Sequence, residues 1–136
     1  MQLVLDTCAL VALAEGEPMQ SSAIAAIEAA QDAQALFVSS FVALEVAQKM
    51  AVGKLVLGEA SARVWFGHAV RGFGLTEVRM SANMALAAYE LPEPFHKDPA
   101  DRLIVAIARL LRAAVVTIDR RILAYGRQGH VAVLSY

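Results

Sequence analysis

Five short apolar runs, residues 2–5, 35–38, 75–78, 114–118 and 131–134, punctuate the chain, and a helix-length segment fits between successive runs. Runs of four or five residues are too short for a helix and suit strands buried on both sides. Strands joined by helical crossovers pair in parallel, and a parallel sheet needs cover on both faces. The pattern therefore predicts an α/β protein, a three-layer α/β/α sandwich with a mainly parallel central sheet. No internal repeat, low-complexity tract or linker breaks it, so residues 1–136 read as one domain.

The intervening segments carry helix signals. Residues 7–14 read as a helix broken near Gly16 and Pro18. Ser21 or Ser22 is expected to cap a helix to about Ala33. Ser39 or Ser40 is expected to cap residues 41–52, with Gly53 as the left-handed residue that closes it. Residues 59–71 and 81–90 read as further helices, and Pro92 and Pro94 make residues 91–97 a loop. The strongest start signal is Asp98-Pro99-Ala100-Asp101: an Asp cap, proline at the first helical position, then an acid in the first turn. That helix runs to about Arg112, and residues 119–125 form a short last one.

With 58% apolar residues, a chain of this length can bury a core without disulfides or a structural metal. Its single cysteine, Cys8, makes no internal disulfide and suggests no thiolate zinc site. The opening residues lack a basic segment and reach an acid at Asp6, unlike a secretory signal. No uncharged apolar stretch is long enough to span a membrane, and a cytoplasmic protein is expected.

In an open parallel sheet the ligand site lies beyond the carboxyl ends of the strands. Asp6 follows the first run and Asp119 follows the fourth, so both acids belong on that rim. Asp101 heads the helical stripe that continues through Ile104 and Ala108, which points it inward. Glu45 lies mid-helix between Leu44 and Val46, not plainly facing solvent. Taken singly, Asp98 is an N-cap, Asp101 a complement to the helix dipole, Asp6 and Asp119 turn residues, and Glu45 a surface glutamate. Taken together, converging carboxylates repel and raise one another's pKa. A set of hard oxygen donors without His or Cys suits Mg²⁺ or Mn²⁺, which would relieve that repulsion. Acids around such ions are how proteins prepare a phosphodiester for attack by water.

Four pieces carry a resemblance: residues 3–7 (LVLDT), 39–47 (SSFVALEVA), 96–106 (HKDPADRLIVA) and 115–121 (VVTIDRR). In that order and spacing the chain resembles a PIN-domain ribonuclease, specifically the VapC-type toxins of toxin–antitoxin pairs. The resemblance implies that Asp6, Glu45, Asp101 and Asp119 hold Mg²⁺ or Mn²⁺ and carry catalysis. Asp98 would be a second-tier neighbour, with Thr7 and Thr117 as supporting hydroxyls. It also implies an RNA substrate, a homodimer and a cognate antitoxin, a small DNA-binding protein. Cys8 departs from the Ser, Asn or His found in many relatives, and is expected to be inert.

Net charge is −1, but its distribution is uneven: residues 96–127 hold seven cations against three acids, whereas residues 1–95 hold five against ten. Arg102, Arg120 and Arg121 adjoin the proposed ligands and are candidate RNA-phosphate contacts; a solvated basic surface is the plain alternative. His96 reads as a loop residue, and Trp65 and Phe66 as core or subunit contacts. A phosphoacceptor receiver lacks its lysine here, and a haloacid-type phosphatase lacks its second aspartate, since position 8 is Cys. An RNA-processing PIN nuclease without an antitoxin, or a silent PIN-like binding module, are the remaining alternatives.

Overall fold

Alternation within the first strand decides the layers. In the computed structural model, which describes residues 1–58 and 61–136, β1 (Leu3–Leu5) is wholly buried. Leu3 and Leu5 face one apolar cluster and Val4 faces another, as the two-residue period of a strand requires. The sheet is parallel throughout, in the order β3-β2-β1-β4-β5. Its other strands are β2 (Leu36–Ser39), β3 (Thr76–Val78), β4 (Ala114–Val116) and β5 (Ala132–Leu134).

The first face is covered by α1 (Thr7–Ala14), α2 (Ser21–Asp32), α3 (Ser40–Ala51) and α4 (Ala62–Gly72), whose Leu10, Ile27, Val46 and Trp65 join Leu3, Leu5, Leu36 and Val116. The second is covered by α6 (Pro99–Leu111) and α7 (Arg120–Arg127), with α5 (Ala82–Ala87) packed on α6. Val105, Ile107, Ile122 and Tyr125 pack there with Val4 and Val115. The expected three-layer sandwich is what forms. Trp65 is core, and Phe66 packs partly buried against the same cluster.

The caps explain the boundaries. Ser39 Oγ accepts from Phe41 N and starts α3, and Gly53 after its end has φ +74°. Asp98 Oδ1 accepts from Ala100 N and Asp101 N, and Pro99 opens α6. Three expectations shift. Neither Ser21 nor Ser22 caps α2: Gln20 is the cap, and its carbonyl already accepts from Ala23 N and Ile24 N. Helix α5 stops at Ala87, short of residue 90, where the Ala88 carbonyl accepts instead from Arg102. Strand β4 ends at Val116, because Ile118 turns outward and is 52% exposed. The helix read from residue 59 is seen from Ala62 with Ser61 as its cap; residues 59 and 60 lie outside the described residues.

Candidate active site

Strand order reverses direction about β1 and β4, which places a crevice at their carboxyl ends. There lies a cavity of about 350 Å³ lined by Asp6, Glu45, Asp98, Asp101, Asp119 and Arg121, among others. Five acids therefore come together from four places in the chain, Asp98 and Asp101 both at the start of α6. Asp6 and Asp119 are the N-caps of α1 and α7. Asp6 Oδ1 accepts from Ala9 N at 2.7 Å, and Asp119 Oδ1 from Arg121 N at 2.9 Å and Ile122 N at 3.2 Å. The turn-residue role and the rim position are thus held by the same side chains.

Two hydroxyls tie the rim together. Thr7 Oγ1 donates to Glu45 Oε1 at 2.6 Å, joining α1 to α3. Thr117 is wholly buried; its Oγ1 accepts from Asp119 N at 3.0 Å, and its side chain hydrogen-bonds Asp6. Asp98 is exposed and serves as a cap, its carboxylate charge bearing on Asp101.

The electrostatics are those of buried acids that also crowd one another. Burial pushes the Asp6 carboxyl up, against the lowering effect of Thr117 and Ala9, and the charges of Asp119 and Glu45 add to the rise. Burial, then the charges of Asp119 and Asp98, lifts Asp101 from 3.8 to about 7. Arg121 stands over both acids, with Nη2 3.8 Å from Asp101 Oδ2 and 3.9 Å from Asp119 Oδ2. Burial and Asp6 push the Cys8 thiol up, which disfavours the nucleophilic thiolate.

Among the described residues, no three Asp, Glu, His or Cys side chains close tightly enough around one point to ligate an ion as they stand. The donor chemistry nevertheless fits a hard divalent cation. The donors are carboxylate oxygens on four different elements, and their mutual repulsion is what a cation would remove.

Arg102 requires a correction. It was expected on the RNA-facing surface beside Asp101, but it is only 4% exposed. Its guanidinium donates to the carbonyls of Ala88, Phe95 and His96 at 2.9–3.0 Å and to Glu93 Oε1 at 2.8 Å, and it lies over the Tyr89 ring. All three of its nitrogens donate to residues 88–96, so it anchors that loop, buried away from any phosphate. Arg120 and Arg121 are exposed, as an RNA contact requires.

Two neighbours went unread in the sequence. His96 does lie in a loop, yet its Nε2 sits 3.0 Å from Asp101 Oδ2 without hydrogen-bond geometry, a buried unpaired nitrogen. Burial and Arg121 hold its pKa below the ordinary value. Lys49 also lines the cavity; its place four residues after Glu45 on α3 was the available signal.

Comparison with known proteins agrees with this architecture. The family model for the PIN domain matches residues 3–128. No curated protein sequence matches the chain. A solved VapBC2 structure from Rickettsia felis, bound to a DNA fragment from their promoter, is similar in fold. It is 19% identical with TM-score 0.72, covering 100% of this chain and 99% of that one. FitAB bound to an IR36 DNA fragment is similar at 18% identity and TM-score 0.58, covering 98% and 94%. FitAcB from Neisseria gonorrhoeae is similar at 16% and 0.62, covering 98% and 96%. With the family model spanning nearly its whole length, the chain belongs to the PIN domain family.

Proposed function

We propose that the protein is a Mg²⁺- or Mn²⁺-dependent endoribonuclease and the toxin of a toxin–antitoxin pair. The observation that carries this reading is the cavity itself: acids from separate elements at the carboxyl end of a parallel sheet, where burial first and the charges of Asp119 and Asp98 next lift Asp101 to about 7. Asp6, Glu45, Asp101 and Asp119 would hold the ion. When bound, a divalent cation supplies charge neutralisation at the phosphate and polarisation of water.

The chain's own residues do the positioning. Backbone N–H groups orient Asp6 and Asp119, and Thr7 orients Glu45; the carboxylates would draw together around the ion from these positions. Arg120 and Arg121 would hold the RNA phosphates and steady the charge that grows as the bond breaks. Water adds to phosphorus, the bond to the 3′ oxygen breaks, and that oxygen leaves as a hydroxyl, with a 5′-phosphate on the other fragment.

The toxin role rests on the similar folds, solved as VapBC2 and FitAB on DNA fragments. A small DNA-binding antitoxin, in the cytoplasm, would be the corresponding partner. Exposed Leu44, Met80, Leu86 and Tyr89 support a homodimer that covers some of them. Among the described residues, no helix is long and apolar enough to cross a membrane.

The test is RNA cleavage by purified protein with Mg²⁺ or Mn²⁺ and with chelator. Metal-dependent cuts leaving 5′-phosphate ends are expected; cleavage that persists in chelator overturns the reading. Mass measurement with and without a co-expressed small DNA-binding protein tests the partnership, and a monomer that never binds one retires the toxin role alone.

A further inference from the structure

A second groove of about 550 Å³ adjoins the acid cavity. The two share Thr7, Cys8, Lys49 and Ile118 as a common wall, so one opens beside the other. Beyond that wall the character changes. The groove is lined by Val11, Leu55 and Tyr136, which pack half-buried on the first core cluster, and by the exposed half of Ile118. Lys49 stands at the junction and Lys54 on the groove side, with Glu17 as the one acid in its lining. The acid cavity thus continues into a recess with an apolar floor and a cationic edge.

We propose that this groove is a nucleotide subsite, taking the base of the RNA residue next to the phosphate held at the acids. The inference rests on the nuclease reading and adds where the substrate strand runs. Single-stranded nucleic acid is gripped by a cationic track for the backbone beside apolar and aromatic surface for the bases. Lys49 and Lys54 supply the first, and Tyr136, Leu55 and Ile118 the second. Val11 of α1 adds an aliphatic wall to the recess. A polyanion crossing from the acids meets Lys49 first and the apolar floor next, the order in which a nucleotide presents phosphate and base.

The test uses the full-length chain in chelator, where RNA binds without being cut. Amide spectra are titrated with a tetraribonucleotide and with versions lacking one base at each position in turn. Shifts at Val11, Leu55 and Tyr136 are expected, lost when one particular base is removed. Tyr136→Ala and Leu55→Ala are expected to weaken binding of the intact RNA about 10-fold and to leave binding of that abasic RNA unchanged. Shifts confined to the acid rim, or equal losses on both RNAs, overturn the subsite and leave the nuclease reading standing. Groove shifts produced only by a protein partner, never by RNA, overturn it likewise. No RNA binding, with no metal-dependent cleavage, sinks both readings together.

Discussion

Replacing Asp101 by asparagine should stabilise the metal-free protein, against the usual direction for a core-side substitution. The Asp101 carboxyl titrates at about 7 in the fold, raised from 3.8 by burial and by Asp119 and Asp98. Because the folded pKa is the higher one, the folded chain binds this proton more tightly than the unfolded chain. The resulting cost is absent below about pH 4, grows as pH rises, and is complete above about pH 7. At face value the displacement is worth about 4 kcal/mol. Solvent reaches a side chain that is 21% exposed, and screening roughly halves the figure. Asparagine also forfeits the favourable acid at a helix N-terminus, about 0.3–1 kcal/mol. The net gain is about 1–2 kcal/mol at pH 8, or roughly 3–5 °C in melting temperature per kcal/mol for a chain of this size. Thermal melts of wild type and Asp101→Asn in chelator at pH 5 and pH 8 measure it. The gain should be small at pH 5 and larger at pH 8, and saturating Mg²⁺ should reverse the order by stabilising wild type more. A variant less stable than wild type at pH 8, or a difference that does not change with pH, refutes the argument from burial and crowding and returns Asp101 to a dipole role.

Arg102→Ala should cost about 2–4 kcal/mol in urea unfolding, because three carbonyls lose a charged donor. Arg102→Lys should not restore it, since an ammonium cannot span those partners. Gly126→Ala should cost about 1–3 kcal/mol by the same measurement, because its Cβ would meet Val133 Cγ2 at 2.7 Å and Val131 O at 3.2 Å. Arg121→Ala should weaken RNA binding and flatten its salt dependence while leaving divalent-ion binding intact, as read by fluorescence anisotropy over a salt series.

The strands and most helix starts were legible because their signals are local. Residues 98–101 state a cap, a first-turn proline and a first-turn acid in four positions, and α6 begins there. The rim was legible at one remove, since a parallel sheet sends every strand's carboxyl end to the same edge, and Asp6 and Asp119 follow two adjacent strands. Arg102 was not legible. Its partners sit 6 to 14 residues upstream in a loop without periodicity, and an arginine beside an acid looks the same whether it faces RNA or a carbonyl cage. His96 was hidden for the same reason: a loop fold, not a spacing, brings it to Asp101. The α2 start was misread because serine is a good cap wherever it stands, and only the extended Gln20 backbone shows where the helix begins. Lys49 was readable from its helical spacing to Glu45.

The central claim is that the four acids form one divalent-cation site, and calorimetric titration with Mn²⁺ tests it most directly. Asn retains the capping geometry of Asp6 and Asp119, so Asp6→Asn and Asp119→Asn should fold as wild type does while offering one fewer anionic donor. Wild type is expected to bind Mn²⁺ with heat that vanishes or weakens at least 10-fold in either variant, and Mn²⁺-dependent RNA cleavage should disappear with it. Undiminished Mn²⁺ binding in both variants, or no binding by wild type, would contradict the account.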